Sequence, residues 1–126
     1  MIRTILLSVL LVGCVTEPAD VGEQVATSGS FDLEWAIYDG AQWVSCIDAQ
    51  ASEVRIVAHA LDRDAEDVHV LGCYAGIGET GAVAAGSYDV TLQLVSPAGG
   101  VVASVELHDV QVLDGTTPLG PIEFRP

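Results

Sequence analysis

Asp62, Asp64, Glu66 and Asp67 place four carboxylates within six positions, the densest group of chemically able side chains in this sequence. Oxygen-rich clusters suit calcium, a hard cation with oxygen ligands. The stretch fails as a helix-loop-helix calcium loop, because Asp67 stands where the tight-turn glycine belongs and Cys73 where the bidentate glutamate belongs. A solvated acidic turn, partly offset by Arg63, is the expectation, and weak calcium binding is the alternative. Gly76-Ile77-Gly78-Glu79-Thr80-Gly81 satisfies the Gly-x-Gly-x-x-Gly pattern that lets a backbone approach a pyrophosphate. Only residues 82–85 separate it from the next glycine, too few for the helix whose dipole would hold the phosphate, so a turn is expected. His59, His69 and His108 fall in three separate stretches without ligand spacing, and each is expected at a surface or edge. Asp32 and Glu34 lie two apart on one strand face, a spacing open to acid-base chemistry but ordinary for a wet face. Ser45 has no nucleophile motif around it. The expectation is therefore a protein that is not an enzyme and carries no cofactor. Trp43 stands apart, three residues before Cys46. It can present a flat apolar face to a sugar ring or a partner side chain, with Tyr38 and Tyr74 as companions; a lid over the end of the sandwich, packed on the disulfide, is the alternative.

The elements that would position these residues are strands. Phe31, Leu33, Trp35 and Ile37 alternate with Asp32, Glu34, Ala36 and Tyr38, a period of two with one apolar face, which predicts a strand over 30–38. Asp39-Gly40 ends it, and 41–52 reads as a loop carrying Trp43 and Cys46. Residues 53–61 are apolar enough on both faces for a central strand. The acidic turn over 62–67 leads to a strand over 68–75 that holds Cys73, and 76–86 is glycine- and alanine-rich with room for a short edge strand. Tyr88, Val90, Leu92 and Leu94, the turn over 96–100, and Val101, Ala103, Val105 and Leu107 form a hairpin. Val110 and Val112 extend it, Asp114-Gly115 turns the chain, and Ile122 with Phe124 closes the sheet. Seven or eight short strands predict an all-β, antiparallel sandwich over 30–126, with a partly open barrel as the alternative.

Charge narrows the partners. Eighteen acidic residues face four basic ones, giving a net charge of −14. Nucleic acid and anionic lipid surfaces are repelled, so nucleic-acid partners are excluded. Solubility among crowded surface molecules accounts for such a charge, with cation binding or a basic partner as alternatives.

The N-terminus has the layout of an export signal: Arg3 is its early positive charge, an apolar run follows from Ile5 to Val12, and a small residue precedes Cys14. The run is about half the roughly 20 residues a spanning helix needs. Leu11-Val12-Gly13-Cys14 resembles a bacterial lipobox. That resemblance implies cleavage after residue 13, lipidation of Cys14, and anchoring by two or more acyl chains. The alternative is an ordinary secretory signal releasing a soluble protein. Val15 stands where an inner-membrane retention aspartate would be, so the resemblance favours the outer membrane of a Gram-negative cell envelope. Residues 14–29, polar and glycine-containing, read as a lipidated cysteine and flexible tether. With Cys14 lipidated, Cys46 and Cys73 remain as an even pair in an oxidising compartment, where a disulfide is expected.

Gly86-Ser87-Tyr88-Asp89-Val90-Thr91-Leu92, the hairpin at 97–100 and the closing Ile122-Glu123-Phe124 resemble the Gly-x-Tyr-x-Val strand and its surroundings in prealbumin-like (transthyretin-like, carboxypeptidase regulatory-like) sandwich domains. The resemblance implies the fold and no catalytic residues, because these domains share none. The expectation is a non-catalytic, membrane-anchored interaction or structural module of the envelope, meeting an envelope protein or a glycan; the alternative is a carbohydrate-binding module using the loop aromatics.

Overall fold

The computed structural model describes residues 28–126, so the expected signal segment, Cys14 and most of the expected tether lie outside the described residues. Among the described residues nine strands follow in chain order: β1 (Ser28–Asp39), β2 (Gln42–Val44), β3 (Glu53–Ala60), β4 (Glu66–Gly72), β5 (Ile77–Glu79), β6 (Val83–Ala84), β7 (Gly86–Val95), β8 (Val101–Val112) and β9 (Gly115–Phe124). A single turn of 3-10 helix, Cys73–Ala75, joins β4 to β5. Among the described residues no helix is long and apolar enough to cross a membrane.

Alternation builds the two layers. In β1, Phe31, Leu33, Trp35 and Ile37 are buried while their neighbours face outward, and β7 repeats the pattern with Tyr88, Val90, Leu92 and Leu94. β3 buries Val54, Ile56, Ala58 and Ala60. One sheet runs β4-β3-β7-β8, wholly antiparallel; the other is organised on β1, which pairs with β2, β5, β6 and β9. The inner faces of both sheets share one core, with Phe31 meeting Tyr88 edge-on at 6.4 Å between ring centroids. This is the all-β sandwich-like arrangement expected from the sequence.

Four expectations are corrected. The arrangement is not purely antiparallel, because β9 runs parallel to β1 from Gly29↔Gly115 to Ile37↔Phe124. A short corner after β8 carries the chain from one sheet into the other, and β9 then lies along β1 in the same direction. The short strands β2, β5 and β6 bring the number to nine, above the seven or eight expected, and β2 takes Trp43 out of the expected loop. The tether was expected to reach residue 29, yet Ser28 and Gly29 already pair with Ala84 and Val83. Gly29 is there because a Cβ would lie 2.3 Å from the Leu113 carbonyl oxygen and 2.4 Å from that of Gly115. Finally, β4 starts at Glu66 and stops at Gly72, so Cys73 lies on the 3-10 turn and not within a strand.

Candidate functional site

Beside β1 the sheet has a gap. Asp32, Leu33 and Glu34 pair with β5, and Ile37, Tyr38 and Asp39 pair with β2; between them only the Trp35 amide reaches across, donating to the Gly76 carbonyl at 3.0 Å. The chain reaches this gap from two directions. After β2, residues 45–51 fold into a tight turn in which Ser45 Oγ accepts from the Asp48 amide at 3.0 Å and Cys46 O accepts from Ala51 at 2.8 Å. After β4, the Cys73 amide donates to Ser52 O at 2.9 Å, and Trp35 Nε1 donates to Cys73 O at 3.0 Å. The Cys46–Cys73 disulfide locks the two arrivals together, with Cα atoms 6.2 Å apart. Ser45, considered above as a nucleophile, is thus a turn-capping hydroxyl.

The result is a cleft of about 170 Å³ whose walls include Trp35, Trp43, Val44, Cys46, Cys73 and Tyr74. Trp35 is buried and forms the base. Trp43 and Tyr74 stand at the surface, 62% and 66% exposed, so neither is a lid packed on the disulfide. Tyr38 lies directly opposite Trp43 across β1 and β2, and the Arg125 guanidinium sits 4.9 Å from its ring centroid. Trp43 and Tyr74 thus line one cleft together with the disulfide, and Tyr38 stands beside Trp43 on the wall of the adjoining depression.

Two smaller depressions continue from the cleft along the outer face of β1. One, about 120 Å³, adjoins it at Ala36 and is walled by Tyr38, Pro121 and Glu123. The next, about 100 Å³, adjoins at Glu34 and is walled by Asp32, Ile77 and Pro118. Asp32 and Glu34 share this outer face, with Glu79 directly opposite Asp32. Glu79 accepts hydrogen bonds from Ser30 and Thr116 hydroxyls at 2.9 and 3.2 Å.

The acidic turn does not gather into a metal site. Glu66 and Asp67 belong to β4 and point to opposite faces, leaving Asp62 and Asp64 in the turn, where Asp62 holds Arg63 at 2.9 Å. Among the described residues no group of three or more histidine, cysteine or acidic side chains is placed to hold a metal, and Asp62, Asp64, Glu66 and Asp67 do not converge on one point. The glycine pattern at 76–81 forms β5 and the latch beyond it: Thr80 exchanges hydrogen bonds with the Phe31 main chain, accepting from its amide through Oγ1 and donating to its carbonyl, each at 2.9 Å. His59 and His108 are exposed on the other sheet beside Glu66 and Asp89, at 3.9 and 3.5 Å. His69 lies on the edge strand β4, as expected, on its half-buried face, and its Nε2 is buried with no hydrogen-bond partner among the described residues.

Sequence reasoning missed the roles of Arg63 and Tyr88. Tyr88 Oη donates to Ala84 O at 2.6 Å and accepts from Arg63 Nη2 at 2.5 Å, tying β6 and the acidic turn to β7. That hydrogen bond is the main reason the Arg63 pKa is raised. Gly86, two residues earlier, has φ +151°, and a Cβ there would meet Arg63 Nη1 at 2.8 Å. The Gly-x-Tyr spacing was visible in the sequence, but nothing marked Arg63 as its partner 25 residues away.

Comparison with protein-family models finds no match, and comparison with curated proteins finds none. Among solved structures, the chain is similar to a leucine-rich repeat protein of Bacteroides thetaiotaomicron VPI-5482, at 16% identity and a TM-score of 0.42, over 77% of this chain and 12% of that one. A likeness at this level carries no argument about fold or function.

Proposed function

We infer that this chain is a non-catalytic recognition module of the bacterial cell envelope, held by lipid on Cys14 at the outer membrane of a Gram-negative cell, with the aromatic cleft as its contact surface. The observation that carries this reading is the exposure of Trp43 and Tyr74 on either side of a disulfide-locked cleft. Large aromatic residues supply contact area at low entropic cost and dominate binding energy where they are buried by a partner. The disulfide and the Trp35 hydrogen bond fix the walls before any partner arrives, which lowers the cost of binding. The polar groups at the base are engaged: Ser45 caps its turn and both sulfur atoms are bonded to each other. The lipobox-like Leu11-Val12-Gly13-Cys14 supports the anchor, and the Gly86-x-Tyr88-x-Val90 strand supports a prealbumin-like domain.

The full chain in detergent, immobilised and exposed to solubilised outer-membrane proteins, should retain a defined partner that Trp43→Ala loses without a change in melting temperature. Equal retention by both forms would remove the cleft from the account, and steady turnover of a peptide or glycoside panel would remove the non-catalytic reading. A carbohydrate-binding role is the second reading, favoured by the same two exposed rings, which can stack on sugars. It requires a glycan-array signal that vanishes in Trp43→Ala.

A further inference from the structure

We propose that the groove along the outer face of β1 binds an extended, cationic protein segment, one that presents arginine or lysine at alternate positions. The proposal rests on the recognition reading above and names the chemistry of the partner. The cleft and its two continuations share Ala36 and Glu34, so together they make one track along β1 from the aromatic end to the acidic end. Outward residues of β1 repeat every second position, a spacing of roughly 7 Å that an extended peptide reproduces in its own side chains. Its basic groups would then fall in step with Glu34 and Asp32, while the leading one reaches the faces of Trp43 and Tyr74.

Charge selects a cation for this track. Asp32 and Glu79 stand directly opposite each other on neighbouring strands, an arrangement of like charges that disfavours the pairing. Among the described residues neither Asp32 nor Glu34 has an ion-pair partner, and the hydroxyls around Glu79 carry no charge. The other described arginines are committed elsewhere: Arg55 bonds to Gln93 on the opposite sheet, and Arg63 to Asp62 and Tyr88. Arg125 shows what this face accommodates. Its guanidinium covers the Tyr38 ring, pairs with Glu123 at 2.7 Å and donates to Gly40 O at 2.9 Å. A partner's basic side chain on Trp43 or Tyr74 would repeat that arrangement, gaining both cation-π and carboxylate contacts.

The test uses the full chain in detergent and a fluorescent nine-residue peptide alternating arginine with serine, read by anisotropy. A glutamine-for-arginine version of the peptide is the neutral control. The arginine peptide should bind and the glutamine peptide should not, and added salt should weaken binding. Trp43→Ala and the pair Asp32→Asn with Glu34→Gln should each weaken binding about tenfold or more. The pair Asp64→Asn with Asp114→Asn removes the same charge from exposed positions away from the groove and should change affinity by less than about twofold. No binding, or equal losses from the two charge pairs, overturns the proposal. If the arginine peptide fails while Trp43-dependent retention of an outer-membrane protein or a glycan persists, the cationic segment is refuted and the recognition reading stands; loss of both refutes both.

Discussion

At the scale of single residues, aromatic side chains divide into those that hold the fold and those left free by it. Tyr88 is fully buried with its hydroxyl engaged on both sides, by the Ala84 carbonyl and by Arg63. Removing that hydroxyl takes a hydrogen bond from a carbonyl and a guanidinium on residues that both reach solvent. Tyr88→Phe should therefore lower stability by about 0.5 to 1.5 kcal/mol in urea denaturation. Because the Arg63 pKa is raised, its share of this stabilisation is present at every pH below the ordinary arginine value and is lost only above it. The Tyr88→Phe deficit should accordingly be the same at pH 5 and pH 8, two values chosen at roughly the ends of the usual stability plateau. Trp43 is the opposite case. With most of its surface in solvent, Trp43→Ala should change stability by less than about 0.5 kcal/mol, read as an unchanged urea midpoint.

Among the elements, the strands with strict alternation were legible, and those formed by tertiary contact were not. The strand predicted over 30–38 lies within β1, and 53–61 nearly coincides with β3, because burial on one or both faces writes itself into every second residue. β2, β5 and β6 are two or three residues long, too short for any period, and exist because β1 offers them an edge. The parallel approach of β9 was equally hidden, since the hydrophobic pattern of Ile122 and Phe124 is the same whichever way the strand runs. At the site, Trp43, Tyr38, Tyr74 and the Cys46–Cys73 pair could be named from residue type. Their convergence could not, because it depends on where β2 ends and the 3-10 turn begins. Two variants test these elements. Gly29→Ala places a methyl against the Leu113 and Gly115 carbonyls and should cost about 1 to 3 kcal/mol by overpacking. Cys46→Ser opens a cross-link between residues 27 apart in sequence and should cost about 2 to 5 kcal/mol, with Tyr74 gaining mobility as the cleft loosens.

For the whole molecule, the proposed role joins two surfaces at opposite ends of one logic: a lipid on Cys14 that confines the chain to a membrane, and an aromatic cleft that meets a partner there. An acidic domain gives no electrostatic reason to adhere to anionic lipid, so in the proposed role membrane affinity comes from the acyl chains alone. Wild-type protein should remain with membranes through a wash of high salt and leave with detergent, whereas Cys14→Ser should appear in the soluble fraction. The most direct test of the account places a photo-crosslinking amino acid at position 74, beside the cleft, and, separately, at Val101, an exposed position on the opposite sheet. Irradiated cells should give a discrete adduct from position 74 that disappears with Trp43→Ala, and none from position 101. Adducts from position 101 alone, or equal adducts from both that ignore Trp43, would contradict the claim that the cleft is the surface through which this protein acts.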